Sequence, residues 1–436
     1  MHAVKKMGIT ALLCLPAVAS GLETTEDLLW QADGKFSGYP QETEPRPVQF
    51  SVSGGLYHDS NVFRLSDGAP SPAGVTSRSD TIYRVGLGLK ADLPVSRQHL
   101  LLNANINSYS YDRYSQLDNV AYDAGAAWRW QAGSRLSGDV GYRRQRYLGD
   151  LGEVQATIKD QVTQDRFYAT AGYLMTPRWR VRGAADWYKW DHSDAARNVL
   201  DLRVSSTTVG LDYITPANNS IGGQFKYSHG DYPNPQVFNG TAVSNDYDEY
   251  ETSAVLHWVL TGKSTLFARL GYTKREHDQV PARDFGGATG RLSLDWAPGG
   301  KTLINASVWR EIYSVEERGT LGEGGLDQAD ASYVVSTGAS IGPAWAPTAK
   351  LVFQGKVVHE KRKYQGSPGL TFGVAPVVGT GEHREDTFNG LRLSAGYTPI
   401  RALRLSLSSE HGKRDSNAFL RDYDYNLISA NARFQF

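Results

Sequence analysis

The stretch Asn426–Phe436, NLISANARFQF, alternates apolar and polar residues up to its last position. Its apolar face contains Ile428, Ala430, Ala432, Phe434 and Phe436, and its polar face contains Ser429, Asn431, Arg433 and Gln435. A period of two residues is the repeat of a β-strand. An aromatic side chain at the end of a polar strand gains nothing from water. The apolar face therefore predicts a strand that contacts membrane hydrocarbon.

The same alternation recurs along the chain after Val48. It is clear in AYDAGAAWRWQ (121–131), RWRVRGAADWY (178–188), RLSLDW (291–296) and NGLRLSAGY (389–397). Segments of about 10 to 16 residues are long for a soluble sheet and suit a tilted membrane strand. Eighteen such segments are predicted: 47–58, 79–92, 99–111, 119–131, 135–147, 162–175, 178–190, 202–214, 219–230, 247–260, 264–275, 285–297, 301–313, 331–345, 349–361, 385–397, 401–412 and 421–436.

The connections between these segments alternate between two kinds. One kind is short and contains Pro or Gly, such as AGS (132–134) and TP (176–177). The other kind is long and polar, such as SNVFRLSDGAPSPAGVTSRS (60–79). Short periplasmic turns and long extracellular loops are typical of a bacterial outer-membrane barrel. The sequence predicts an all-β fold, a single transmembrane antiparallel β-barrel of about eighteen strands, with sixteen as the open alternative.

The first residues read as an export signal followed by a short acidic segment. Lys5 and Lys6 precede an apolar run, and Ala17-Val18-Ala19 supplies a small-residue cleavage site. We expect a signal peptide over 1–19, a periplasmic N-terminal segment over 20–46 and the outer-membrane barrel over 47–436. The single cysteine, Cys14, lies within the predicted signal. Disulfides and thiolate metal sites are therefore not expected in the mature chain.

The charge balance and hydropathy exclude two other classes of protein. Lys plus Arg and Asp plus Glu both total 46, so the chain has no basic excess of the kind that binds nucleic acid. No stretch after residue 20 approaches the roughly 20 apolar residues of a membrane-spanning helix. The expected environment is outer-membrane lipid and lipopolysaccharide, reached by way of the cleaved signal peptide.

Several aromatic residues are placed where a barrel needs them. Trp130, Trp179, Trp296 and Trp345 lie beside predicted tight turns, as girdle residues at a membrane interface do. The C-terminal Phe434 and Phe436 resemble the assembly signal of outer-membrane barrels. The barrel assembly machinery is therefore an expected partner.

The polar faces of the predicted strands carry many charged residues. A charged side chain that faces lipid near the midplane costs roughly 2–4 kcal/mol, so these residues are predicted to line a wet lumen. The lumen candidates are Arg84, Arg129, Arg143, Arg166, Arg182, Arg269, Arg291, Arg392, Arg404, Arg433, Asp123, Asp139, Asp186 and Asp295, together with Lys226, Lys356, Asp212 and Glu360. Two interpretations stay open, mutual ion pairing and a cation-rich path for an anionic or hydroxyl-rich solute. Tyr109, Tyr111 and Phe267 are candidates for flat contacts with sugar rings.

One short motif carries a possible catalytic pattern. HDSN, His58 to Asn61, resembles the His-x-Ser-Asn of lipid A deacylases, and i and i+2 share a face of a strand. Those enzymes are much smaller barrels, and Ser60 begins a predicted loop. An Asx-type turn explains the motif as well. We predict no catalytic residues, no metal site and no cofactor.

The segment Gly54–Leu65, GGLYHDSNVFRL, resembles the first strand and first loop of the β-barrel porin family that includes EpsL-like proteins of exopolysaccharide operons. The resemblance rests on Asp59, Asn61, Phe63 and Arg64, whose roles the family does not define. It implies export of an exopolysaccharide across the outer membrane, together with a polysaccharide export protein as partner. Over most of its length, the chain also resembles this family in its overall architecture.

The sequence therefore predicts a non-enzymatic outer-membrane channel for exopolysaccharide export. A general or small-solute diffusion porin is the first alternative, and an outer-membrane barrel hydrolase is the second. The extracellular loops 361–384 and 231–246 are the candidates for an inward-folding gate. The sequence leaves the polymer and the direction of transport open.

Overall fold

The computed structural model describes residues 47–436 except 73, 152–156, 239–240, 315–331 and 367–383. The predicted signal peptide (1–19) and N-terminal segment (20–46) lie outside the described residues. Most of the predicted gating loop 361–384 does so as well.

Eighteen long strands form one closed antiparallel sheet, which confirms the predicted barrel and decides against sixteen strands. Each strand pairs with its neighbours in the chain, and the first strand also pairs with the last. The strands are β1 Val48–Asp59, β2 Asp80–Val95, β3 Gln98–Tyr111, β4 Asn119–Ala132, β5 Leu136–Leu148, β6 Gln161–Thr176, β7 Trp179–His192, β8 Leu202–Ile214, β9 Ser220–Asp231, β12 Tyr247–Thr261, β13 Ser264–His277, β14 Phe285–Gly299, β15 Thr302–Ser314, β16 Tyr333–Thr348, β17 Leu351–Gln365, β18 Glu385–Ile400, β19 Leu403–Ser416 and β20 Tyr423–Gln435.

Two strands lie outside the barrel. β10 Gln236–Phe238 and β11 Thr241–Val243 form a small hairpin within the predicted loop 231–246, where no strand was expected. The described helical elements are the short 3-10 turns Ser115–Leu117, Ala195–Leu200 and Pro281–Arg283. Among the described residues, no helix has the length and hydropathy needed to cross a membrane.

The two faces of each strand differ as the alternation requires. On β2, Tyr83, Val85 and Leu87 are 51%, 63% and 58% exposed. Arg84, between them, points to the opposite face and contacts Asn107 and Asn431. Because exposed apolar side chains form the outer face of a membrane barrel, the face that carries Arg84 lines the interior.

Aromatic side chains border the apolar outer surface on both sides. Near the short turns, Trp179, Trp296 and Trp345 are 42%, 45% and 50% exposed. Near the long loops, Tyr83 and Tyr272 are also exposed, by 51% and 56%. These residues occupy the positions of the two membrane-interface girdles. In outer-membrane barrels the short turns lie on the periplasmic side and the long loops outside.

The barrel closes between β1 and β20. The register runs from Ser51 opposite Gln435 to Asp59 opposite Leu427. Beyond it, Phe50 and Phe436 exchange two backbone hydrogen bonds. The pairing therefore extends to the last residue.

The extracellular ends of β15 and β16, at Ser314 and Tyr333, turn towards the interior of the barrel. Ser314 and Tyr333 belong to the strand faces that, nearer the membrane, carry exposed Val308 and Ile341. Nevertheless, Ser314 Oγ accepts a hydrogen bond from Arg275, on the interior face of β13. The last residue of β15 and the first residue of β16 have therefore turned their outer face towards the interior of β12–β14.

Candidate functional site

Most charged side chains inside the barrel form ion pairs across neighbouring strands. Arg129 Nε lies 2.9 Å from Asp139 Oδ1, because β4 and β5 place these two residues opposite each other. Arg143 donates two hydrogen bonds of 2.8 Å to Asp123. These pairs neutralise much of the positive charge that the sequence places on the strand faces.

Two further acids, Glu251 and Glu311, hold arginines of the interior face. Glu311 accepts from Arg269 at 2.9 Å and from Arg291 at 2.7 Å. Arg269 also lies 2.8 Å from Glu251. Glu251 and Glu311 were absent from the predicted site. The alternation of faces could have identified both residues, because Glu251 and Glu311 occupy interior positions of β12 and β15.

The remaining predicted charges lie on the same interior face. Arg166 pairs with Asp186 at 2.8 Å. Asp212 receives both Arg182 and Arg180, each at 2.7 Å.

On β14, Asp295 accepts a 2.7 Å hydrogen bond from Asn305. Arg392 donates to Glu410 at 2.6 Å, and Lys356 lies opposite Arg392 in the strand register. Glu360 is buried between Arg362 and Ser336, and Lys226 is buried on β9.

Arg84 is held differently, by amide groups. Its Nη1 donates to Asn107 Oδ1 and its Nη2 donates to Asn431 Oδ1, both at 3.1 Å. Within the described part of the chain, no carboxylate forms an ion pair with Arg84. Because amide oxygens fix a guanidinium without neutralising it, Arg84 keeps its positive charge inside the barrel.

Arg404 and Arg433 continue this positive surface. They lie opposite each other on β19 and β20, with both side chains on the interior face. Arg433 is exposed and donates to Ser51 Oγ at 3.1 Å, whereas Arg404 is half-buried. We call Arg84, Arg404 and Arg433 the arginine wall, which spans β19, β20, β1 and β2.

Two glycines make room for the amides around Arg84. A Cβ at Gly55 would collide with Asn431 Oδ1, and a Cβ at Gly86 would collide with Asn107 Oδ1. Glycine at both positions therefore leaves room for the two amide oxygens that accept hydrogen bonds from Arg84.

The predicted aromatic contacts are spread over the interior. Tyr109 lies opposite Arg84 on β3. Tyr111 packs at the edge of a loop cluster. Phe267 stacks on His257 with ring centroids 4.7 Å apart. The structure does not bring these three rings into one sugar platform.

Buried apolar side chains fill the interior near the extracellular mouth. One cluster on β6–β9 and β12 contains Trp190, which is 1% exposed, and a second on β15–β20 contains Phe388, which is 0% exposed. At the start of β16, the Tyr333 ring packs edge-on against Phe285 at 5.5 Å. These clusters make the mouth narrower than the number of strands alone would give.

In the loop next to Phe285, burial lowers the pKa of Arg283 to about 10.

The motif that carries the family resemblance forms the top of the β1–β20 closure. The Asn61 N–H donates to Asp59 Oδ1 at 2.8 Å, which is the Asx-type turn. Asn61 Nδ2 donates to the backbone of Asp424 on β20 at 3.0 Å. Arg64 pairs with Asp59 at 2.9 Å and lies 3.6 Å over the Tyr425 ring.

Phe63 is fully buried in the neighbouring loop cluster, edge-on to Tyr114 at 4.8 Å. The cluster also contains Val62, Leu65, Val75, Leu117 and Leu151. The four motif residues thus join the first loop to the last strand.

His58 and Ser60 bond to different partners. His58 Nδ1 lies 3.1 Å from Thr81 Oγ1 on the outer face, and Ser60 Oγ accepts from the Asn426 N–H at 2.8 Å. Among the described residues, no three His, Cys, Asp or Glu side chains are grouped to hold a metal ion.

Comparison with known proteins gives structural similarity only. No family model and no curated protein sequence matches the chain. The outer membrane protein OpdK from Pseudomonas aeruginosa superposes with a TM-score of 0.45 and 11% identity, over 89% of this chain and 99% of its own. A BenF-like porin from Pseudomonas fluorescens Pf-5 gives 0.45 and 10%, over 89% and 99%. OccAB3 of Acinetobacter baumannii gives 0.45 and 9%, also over 89% and 99%. A likeness of this size does not extend to the solutes of those proteins.

Proposed function

We propose that the chain is a non-enzymatic outer-membrane channel through which small solutes diffuse, with a preference for anions. The observation that carries this proposal is the arginine wall, three cations that lie close together on the interior faces of β2, β19 and β20. An eighteen-stranded barrel is wide enough for an aqueous path. The apolar outer surface supports its location in the outer membrane.

The buried mouth favours small solutes over a polymer. Trp190, Phe388 and Tyr425 are at most 1% exposed, so they are covered by neighbouring residues and do not face an open channel. A polysaccharide chain needs a wide path along the whole barrel, and these clusters reduce the width of that path near the mouth. Exopolysaccharide export, the expectation from the motif at Asp59–Arg64, is therefore the second candidate. Interaction with a polysaccharide export protein belongs to that candidate.

The arginine wall would act by raising the local concentration of anions. Positive charge on a low-dielectric wall attracts anions over a distance of about one Debye length, roughly 8 Å at physiological salt. Arg433 is exposed, so its contacts with a solute would be weak and quickly exchanged. Conduction requires such weak contacts, because a tight site would stall passage.

The experiment is a reversal-potential measurement in planar lipid bilayers under a salt gradient. We expect anion selectivity in the wild type and a shift towards cations in the double variant R404Q/R433Q. The matched control is R129Q/D139N, which removes an interior ion pair without changing the net charge. We expect the control to retain wild-type selectivity.

Equal selectivity of wild type and R404Q/R433Q would contradict the proposal. Gene deletion separates the two candidate functions. Loss of secreted polysaccharide with unchanged uptake of small anions would establish export in place of diffusion.

A further inference from the structure

A row of charged side chains crosses four neighbouring strands on the outer surface of the barrel. Arg144 of β5 lies opposite Asp165 of β6. Asp165 lies opposite Lys189 of β7, and Lys189 lies opposite Arg203 of β8. We call the three cations, Arg144, Lys189 and Arg203, the basic row.

The basic row lies just above an aromatic row on the same outer face. Tyr142 lies opposite Phe167, and Phe167 lies opposite Trp187. These rings are 43%, 45% and 36% exposed, so they face lipid. Because aromatic girdles mark the edge of the hydrocarbon, the basic row lies at the level of the lipid headgroups in the outer leaflet.

The acid that lies between Arg144 and Lys189 in this row is already engaged. Asp165 is only 6% exposed, and its carboxylate accepts a hydrogen bond from the Tyr142 hydroxyl. It also lies 3.4 Å from Arg144 Nη1. Asp165 therefore positions Arg144 from the neighbouring strand, and its buried carboxylate offers little charge to the membrane.

The other two cations are weakly held. Lys189 pairs with Asp191 at 2.6 Å and Arg203 pairs with Asp231 at 3.5 Å. All four side chains are 30–48% exposed. Exposed ion pairs contribute little to stability, so these cations can exchange their partners for a stronger anion.

We propose that the basic row and the aromatic row form a binding site for a membrane lipid whose headgroup carries more than one phosphate. Neighbouring strands lie about 4.8 Å apart, so four strands spread the three cations over about 14 Å, which suits more than one phosphate. Arg144 and Arg203 are suited to bidentate contacts with phosphate oxygens, and Lys189 supplies a point charge between them. The acyl chains lie against Phe167 and Trp187.

The opposite side of the barrel provides a matched control. Lys361, Lys363 and Lys413 are 48%, 43% and 56% exposed and form ion pairs on the outer face of β17–β19. They do not share one row across the strands. The outer positions beneath them carry aliphatic residues such as Val357 and Leu391 in place of an aromatic row.

The test measures lipid binding to the folded full-length barrel in detergent micelles by native mass spectrometry. The probes are bisphosphorylated lipid A, the same lipid after removal of its phosphates, and phosphatidylethanolamine. We expect the wild type to prefer bisphosphorylated lipid A. We expect R144Q/K189Q/R203Q to weaken that binding by about tenfold or more, since each lost phosphate contact counts. The control K361Q/K363Q/K413Q should bind like the wild type.

Folding is checked independently, because both triple variants should keep heat-modifiable migration and wild-type single-channel conductance. If the triple variant fails to fold, K189Q alone is measured and should weaken binding in the same direction. Equal weakening by both triple variants would overturn the proposal, as would equal binding of dephosphorylated lipid A. Loss of binding in EDTA would also overturn it, because a metal bridge to Asp191 or Asp231 would then hold the lipid. None of these outcomes affects the anion selectivity assigned to the arginine wall.

Discussion

Phe50 and Phe436 exchange two backbone hydrogen bonds, of 2.9 and 3.0 Å, and stack their rings 6.0 Å apart on the outer surface. The last residue is thus paired with the first strand both through its backbone and through its side chain. This contact lies at the periplasmic edge of the strand pair that closes the barrel.

We expect Phe436→Ala to lower the yield of folded barrel, because it removes a ring contact worth about 0.5–1.5 kcal/mol at the closing strand pair. The measurement is the heat-modifiable fraction after refolding into detergent. Phe419→Ala is the control, since Phe419 is 88% exposed in an extracellular loop. Equal yields for both variants would show that the ring contact is not needed for closure.

Glu311→Gln should destabilise the barrel and make its interior more positive. Glu311 serves both Arg269 and Arg291, and hydrogen bonds to charged groups contribute about 1.5–3 kcal/mol each. We expect a lower urea midpoint and a stronger anion preference in bilayers. Lys274→Gln, which breaks an exposed pair on the outer face, should change neither quantity. A wild-type midpoint for Glu311→Gln would contradict the shared-acid arrangement.

Asn61→Ala should weaken the extracellular end of the β1–β20 closure. The side chain bonds to the backbone of Leu65 and Asp424, and loss of these bonds should cost about 1–3 kcal/mol. Hydrogen exchange at β20 should therefore speed up. Asp67→Ala is the neighbouring control, because that side chain is 92% exposed and should leave exchange at β20 unchanged. Unchanged exchange in Asn61→Ala would remove the role assigned to the motif.

Tyr333→Ala should widen the extracellular mouth. Tyr333 is 4% exposed, and its hydroxyl donates to the Asp284 backbone at 3.1 Å. Without this ring the start of β16 loses its contact with Phe285. We expect higher single-channel conductance. Ile341→Ala on the same strand faces lipid and should conduct like the wild type; a Tyr333→Ala conductance that matches it would mean that this strand end does not restrict the path.

The strands were predictable from sequence because one face of the sheet contacts lipid and the other contacts water. A one-residue shift would expose Arg180 or Arg182 to lipid, so the alternation fixes both the strand and its faces. The predicted segment 202–214 matches β8, and 178–190 differs from β7 by one or two residues at each end. The strand count was harder to fix because short turns have uncertain ends.

The partners of the interior charges were not predictable in the same way. Which acids pair with Arg269 of β13 depends on the register of β12, which carries Glu251. It also depends on the side chain of Glu311, which extends to Arg269 from β15, two strands away. The strand end at Tyr333 turns its outer face inwards, so the alternation of faces alone would have placed that ring on the outside. Loop packing around Phe63 depends on contacts among three loops, which no local pattern specifies.

The hydrogen-bond partners of Arg84 also determine how the channel responds to external pH. Asn107 and Asn431 neither gain nor lose protons, so the surroundings of this cation stay the same in acidic and alkaline water. The attraction of Arg84 for anions should therefore persist over changes in external pH that would remove the charge from histidines in the same place.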